Sequence, residues 1–149
     1  MEKKCIFLDI DGVLNNSRTK TSILGYTGIS NSLIKRLAKI VKETGADIIL
    51  TSTWKEFWTE DDNEVYPYMA KKFRQNKITI VGKTSGPHDR RGYVAINYAK
   101  RHGYDKYIFL DDETFDYDEL GLTDVLVLTD SNEGLTNKDV EIAIELLKK

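Results

Sequence analysis

Residues 4–14 read KCIFLDIDGVL: a short apolar run, two aspartates one residue apart, and a glycine. Ile6, Phe7 and Leu8 are unbroken by a polar residue, the pattern of a central strand covered on both faces. Residues i and i+2 of an extended segment point the same way, so such a strand tip aims Asp9 and Asp11 at one point. Two converging carboxylates repel one another until a cation or a shared proton relieves them. Mg2+ is the obvious relief, a hard ion that prefers oxygen ligands and commonly joins carboxylates to phosphate. Asp and Gly are also ordinary turn residues, so DxDG by itself does not separate a site from an acidic turn.

The remainder of the chain supplies an alternating pattern. Residues 15–28, NNSRTKTSILGYTG, carry no helical period and read as a loop. Ser30 or Asn31 caps a helix whose Leu33, Ile34, Leu37, Ile40 and Val41 follow the 3.6-residue period, and Gly45 ends it. A second strand is expected at 47–50, a third at 78–81, a fourth at 107–110 and a fifth at 125–128. Helices are expected at 91–102, closed by Gly103, and at 137–147, capped by Thr136. Between the second and third strands lie an acidic patch at 60–64 and a short helix at 68–74. Strands alternating with helices imply an α/β fold, a five-stranded, mainly parallel sheet with helices on both faces. Repeats, low-complexity tracts and linkers are not evident, so residues 1–149 are expected to form one domain.

Composition narrows the function classes. With 22 basic and 24 acidic residues, the net charge of −2 supplies no global field to recruit nucleic acid or an anionic membrane. A membrane-length apolar run and a secretory leader are both lacking from the sequence, so a cytoplasmic protein without membrane partners is expected. The single cysteine, Cys5, lies in the first strand and reads as a small buried hydrophobe. His88 and His102 are not spaced as a metal pair.

Ligands of open parallel sheets bind beyond the carboxyl ends of the strands. The first strand ends in Asp9 and Asp11, the second in Thr51 and Ser52, the third leads to Lys83, and the fourth ends in Asp111 and Asp112. Acid pairs, hydroxyls and a cation together suit phosphoryl transfer through an aspartyl-phosphate. One carboxylate attacks phosphorus, a second moves protons, and Mg2+ with a cationic side chain neutralises the equatorial oxygens.

IFLDIDGVL, ILTS, a basic residue before a helix, and FLDD, in that order, resemble the haloacid dehalogenase (HAD) superfamily of phosphohydrolases. The resemblance spans essentially the whole chain and implies a three-layer Rossmann-like fold. It implies Asp9 as nucleophile and Asp11 as general acid/base. Mg2+ would be held by Asp9, the Asp11 carbonyl and Asp111, with Asp112 assisting directly or through water. Thr51 or Ser52 would contact phosphate, the family's spacing favouring Thr51. Lys83, Arg90 and Arg91 all lie where the family carries its cation; Arg91 best matches the spacing and Lys83 comes next. A narrower likeness, in TSTWK, GKT…RRG, LDD and TDSNEGLTNKD, is to the HAD domain of Swiss-army-knife RNA repair proteins. The phosphatase domain of polynucleotide kinase is a more distant relative by pattern. Lys55 stands where the narrower group more usually has Arg.

Specificity in the superfamily comes largely from cap insertions, and this chain leaves room for only a minimal cap. The expected substrate is therefore a nucleotide or a terminal phosphate of nucleic acid, with no obligate protein partner. A small-metabolite phosphatase and a non-catalytic phosphate-binding module are the alternatives. Trp54, Trp58, Tyr66 and Tyr68 are candidate base-stacking rings, although rings so spaced commonly pack in cores. The basic runs at 71–77 and 100–106 are candidate strand-binding surfaces, although such runs are commonly solvated helix faces. Asp116 is a candidate support for the metal site, with an ordinary acidic loop residue as the plainer reading.

Overall fold

A computed structural model describes residues 2–59 and 61–149. Strand β1 (Lys4–Leu8) is followed by a small antiparallel hairpin, β2 (Ser22–Ile23) and β3 (Tyr26–Thr27), and by helix α1 (Asn31–Thr44). Then come β4 (Asp47–Leu50), a 3-10 turn (Thr53–Phe57), α2 (Val65–Gln75), β5 (Ile80–Lys83) and α3 (Arg91–His102). The chain closes with β6 (Lys106–Asp111), β7 (Leu126–Leu128) and α4 (Asn137–Lys148).

The expected α/β sheet is present and wholly parallel, with five strands in the order β5-β4-β1-β6-β7. Strand order reverses between β1 and β6, which makes the crevice beyond their carboxyl ends the natural ligand site. The period of two along each strand builds two cores. Ile6, Leu8, Ile48, Leu50, Ile108 and Leu110 pack with the apolar faces of α1, α2 and α4. Cys5, Phe7, Ile49 and Phe109 pack with Ala95, Tyr98 and Ala99 of α3 and with Tyr117. Phe7 and Phe109 stack at 5.3 Å between centroids on adjacent strands. Cys5 is fully buried here, and burial pushes its thiol pKa up, in keeping with a packing role.

The helix signals act as their chemistry requires. Gly45 ends α1 at φ 71°, a left-handed conformation that glycine reaches without Cβ strain. Thr136 and Asp139 form a reciprocal capping box on α4.

Three differences from the sequence reading have local causes. The third strand begins at Ile80 instead of residue 78, because Ile78 N–H donates to Phe73 O, 2.9 Å away, and closes the end of α2. Helix α2 starts earlier than residue 68 and buries Val65, Met69 and Phe73. It is thus the crossover from β4 to β5 and not an insert over the site. The expected loop at 15–28 contains the β2–β3 hairpin.

The basic runs at 71–77 and 100–106 fall at the carboxyl ends of α2 and α3, which lead into β5 and β6. Crossover helices run against the strands they join, so both runs sit by the amino edge of the sheet, away from Asp9 and Asp111. Lys106, for example, pairs with Lys4 at the start of β1. Of the acidic patch at 60–64, Glu60 lies outside the described residues. Among the described residues, no helix is long and apolar enough to cross a membrane.

The capping box gives a direct test of helix α4. Thr136→Ala removes the hydroxyl that accepts from Asp139 N and should cost about 1 kcal/mol. Tm should fall by roughly 2–5 °C, and Thr136→Ser should restore most of it. An unchanged Tm in thermal unfolding would contradict a stabilising box.

Candidate active site

Hydrogen bonds of the sheet continue one residue past the strand ends and fix the tips. Asp9 N–H donates to Leu110 O at 2.9 Å, Thr51 N–H to Leu8 O at 2.9 Å, and Thr129 N–H to Asp111 O at 2.9 Å. Asp9 is therefore seated between β4 and β6, and its side chain is buried with that of Asp111. Asp9, Asp111 and Asp112 each bring a carboxylate oxygen to one place, all within 4.8 Å of one another. Burial and the Asp111 charge push the Asp9 pKa up to about 8; Arg91 works against that rise and Asp112 adds to it. Burial likewise raises the Asp112 pKa.

Gly12 makes this crowding sterically possible. It sits at φ 81°, and a Cβ on it would fall 2.2 Å from Asp112 Oδ2. Thr129 Oγ1 donates to Gly12 O at 2.7 Å, so the end of β7 anchors the turn that follows the first acids.

Arg91 opens α3 and is the cation that reaches the acids. Nη1 donates to Asp111 Oδ2 at 2.8 Å and lies 3.2 Å from Asp9 Oδ1. Asp116 holds this helix end from outside, accepting from Gly92 N at 2.6 Å and Tyr93 N at 3.0 Å. Asp116 thus supports the site by capping the helix that carries Arg91, not as a neighbour of the three acids. Phe115 lies 4.2 Å under the guanidinium, and a His88 ring nitrogen lies 3.3 Å from Arg91 Nη2. Burial and the nearby guanidinium lower the His88 pKa, which favours the neutral ring as an acceptor.

The other candidate cations are engaged elsewhere. Lys83 Nζ donates to the carbonyls of Lys55 and Trp58, 3.1 Å from each, and so closes the 3-10 turn after β4. Among the described residues it makes no ion pair with the acids. Arg90 pairs at 3.8 Å with exposed Glu119 and stacks on Tyr93. Lys55, which stands where the narrower group more usually has Arg, is a third basic side chain in the same region. It is buried, with Nζ 3.5 Å from Thr84 Oγ1. Burial lowers its pKa, Glu56 offsets part of this, and nearby Arg91 and Lys83 deepen it.

The two hydroxyls after β4 have separate fates. Ser52 Oγ accepts from Trp54 N at 3.1 Å and caps the 3-10 turn. Thr51 Oγ1 is buried with no hydrogen-bond partner among the described residues, and Arg91 Nε is in the same state. Thr51 follows Leu50, the register partner of Leu8, so Thr51 and Arg91 bring two orphaned polar groups to the strand ends that carry Asp9. A phosphate's oxygens would satisfy this arrangement, because a buried unpaired donor is costly.

Asp11 stands apart from the three-acid cluster. Its carboxylate is exposed and accepts from Asn15 Nδ2 at 2.9 Å and from Trp54 Nε1 at 3.2 Å. Asn15 Oδ1 in turn accepts from Gly12 N at 2.9 Å. Tyr117 Oη donates to Asp111 Oδ2 at 2.8 Å, and burial beside Asp111 pushes the phenol pKa up, keeping it a donor. Asn15, Lys55 and Tyr117 escaped the sequence reading as site residues. Asn15 lies three residues past Gly12, whereas nothing in the local sequence marks Tyr117.

Chemically, the three acids offer only hard oxygen ligands, a donor set that suits Mg2+ better than a soft metal. The candidate stacking rings are largely committed to packing. Trp54 is buried, Trp58 packs on Tyr66 and Phe73, and Tyr68 Oη accepts from Ile29 N.

No curated protein matches the chain. The family described as the HAD domain in Swiss Army Knife RNA repair proteins matches over residues 5–140, a span that takes in Asp9, Thr51, Arg91 and Asp111. HAD membership suggests a phosphatase-type hydrolase. With nearly its whole length matched, the chain belongs to the family of HAD domains in Swiss Army Knife RNA repair proteins.

Proposed function

We propose that this protein is a Mg2+-dependent phosphomonoesterase that works through an aspartyl-phosphate on Asp9, acting on a nucleotide or a terminal phosphate of nucleic acid. The observation that carries this reading is the setting of Asp9. It is a buried carboxylate 3.2 Å from Arg91 Nη1, beside two more acids and two orphaned donors, Thr51 Oγ1 and Arg91 Nε.

The bound phosphate places its non-bridging oxygens against Thr51 and Arg91, and Lys55 adds positive charge from behind. An Asp9 oxygen attacks phosphorus as the bond to the leaving oxygen breaks. Asp11 gives that oxygen a proton; then, as a carboxylate, it takes one from the water that attacks the phosphorus. Phosphate departs and the Asp9 carboxylate is restored. Asn15 and Trp54 keep Asp11 aimed without burying it. Asp9, Asp111 and Asp112 would hold Mg2+, with the Asp11 carbonyl, and the ion supplies positive charge to the phosphoryl oxygens. Tyr117 and Arg91 both donate to Asp111 Oδ2, which leaves Oδ1 the freer ligand atom.

The decisive screen compares mononucleotides with 3′- and 5′-phosphorylated DNA and RNA, with and without Mg2+. Turnover that requires the ion is expected. Absence of turnover on every substrate, with phosphate still bound, would replace the enzyme reading with a non-catalytic phosphate-binding module. Asp9→Asn should lower kcat by at least about a thousandfold. Asp11→Asn should lower kcat by about a hundred- to ten-thousandfold while phosphate binding survives. Full activity in either variant would remove the role assigned to that residue.

The raised Asp9 pKa gives a test that needs no substrate. Folded Asp9 keeps its proton up to about pH 8, whereas on unfolding it returns to a value near 3.8. Between those values the folded state binds more protons, so this group makes stability fall as pH rises and become flat above pH 8. In metal-free protein, Asp9→Asn removes that penalty. The Tm difference, variant minus wild type, should grow from about pH 5 to about pH 8. A difference independent of pH would contradict a buried, raised carboxyl. Mg2+ competes with the same proton, so its affinity should rise over this interval in calorimetry.

A further inference from the structure

Between β1 and α1 the chain forms the β2–β3 hairpin, which exposes two large apolar side chains, Leu24 and Tyr26, beside the exposed polar Ser22 and Thr27. Leu24 is 61% exposed, the most of the large apolar side chains described, and Tyr26 is 47% exposed. Tyr26 is also built into the site's edge. Its ring meets Trp54 at 6.1 Å and Phe57 at 5.5 Å, both edge-on. Trp54 is itself buried and donates to Asp11 Oδ2 at 3.2 Å. The strand from Tyr26 continues to Thr27, whose carbonyl accepts from Asn15 Nδ2, the amide that also holds Asp11. Hairpin and Asp11 are therefore joined twice, through Trp54 and through Asn15.

We infer that Tyr26 is the platform on which the leaving group of the substrate stacks, and that this leaving group carries a nucleobase. The inference rests on the role proposed for Asp11. A group that protonates the leaving oxygen has the leaving group on its own side, and the ring fixed to that side is Tyr26. Two edge-on neighbours steady the Tyr26 ring, while about half of the residue remains open to solvent. An exposed, immobilised ring suits a planar aromatic partner, because stacking needs a flat face and no hydrogen-bond code. A sugar or polyol leaving group would gain little from it. Of the other aromatics, Trp54 is buried, and Tyr98 and Tyr104 lie in the core on the other face. Tyr93 is exposed, but its ring is covered by the Arg90 guanidinium at 5.8 Å and stands on α3, apart from the Asn15–Trp54 clasp on Asp11.

The test compares kcat/KM for adenosine monophosphate and glycerol phosphate in wild type, Tyr26→Leu and Tyr26→Trp. Leucine keeps apolar cover over Trp54 and Phe57 but has no π face. Tyr26→Leu should lower the nucleotide-to-glycerol ratio by about tenfold, and Tyr26→Trp should preserve it or raise it. A ratio unchanged in Tyr26→Leu, or an equal fall for both esters, would overturn the platform. A second arm measures equilibrium binding of adenosine monophosphate and inorganic phosphate in the Asp9→Asn background, with and without Tyr26→Leu. The platform requires nucleotide binding to weaken about tenfold relative to phosphate; parallel changes overturn it. Failure of wild type to hydrolyse any ester would instead refute the proposed enzyme, and the binding arm would still decide the platform.

Discussion

Three carboxylates confined within 4.8 Å at the ends of two adjacent strands form an arrangement that repels itself. Burial makes the repulsion worse, since water is withdrawn from Asp9 and Asp111. Arg91 relieves part of it by touching both, which is why the N-terminus of α3 must be held in place. Asp116 does the holding, through the amides of Gly92 and Tyr93. Gly12 admits Asp112 to the same space, and Thr129 ties the Gly12 turn to the neighbouring strand. Much of the loop structure at the carboxyl edge thus serves to keep an unfavourable cluster assembled. A cluster of this kind gains most from a divalent cation and a phosphate, which add the missing positive charge and the missing acceptors.

The skeleton of this arrangement was legible in the chain because it depends on local patterns. Ile6–Phe7–Leu8 and Phe109–Leu110 are apolar runs too short for helices and flanked by acids, and their order along the chain matches a doubly wound sheet. What could not be read depends on docking between distant segments. Family spacing already favours Arg91 over Lys83 among the basic residues between the third strand and the next helix, but it does not show why the two differ. They part company because Lys83 meets the carbonyls that end the 3-10 turn, while Arg91 is aimed by a cap twenty-odd positions away. Tyr117 belongs to an acidic loop without periodicity, yet it bonds Asp111, whereas Asp116 of the same loop, read as a candidate support for the metal site, acts by capping α3. The hairpin escaped notice because strands of two residues leave no alternation to detect.

The division between the acids follows from their surroundings. Asp9 is enclosed, close to Arg91 and next to further carboxylates, a setting consistent with the nucleophilic role proposed for it. Asp11 lies two residues on but faces solvent, clasped by Asn15 and Trp54. That clasp links Asp11, the residue proposed to transfer protons, to the hairpin and its exposed Tyr26, so the proposed chemistry and substrate choice would share one edge of the site. Of the other aromatic residues of the 3-10 turn and α2, Trp54 and Phe73 are buried in the core, and Phe57, Trp58 and Tyr68 pack against it.

The central claim is that phosphorus becomes covalently attached to Asp9. It is tested most directly by mixing the protein with excess substrate and Mg2+, quenching with acid during turnover, and mapping peptides by mass spectrometry. The account predicts one added phosphoryl group on the peptide from the first strand, assigned to Asp9 by borohydride reduction of the acyl phosphate. A phosphoryl group on any other side chain, or rapid turnover with no phosphorylated peptide at any quench time, would contradict it.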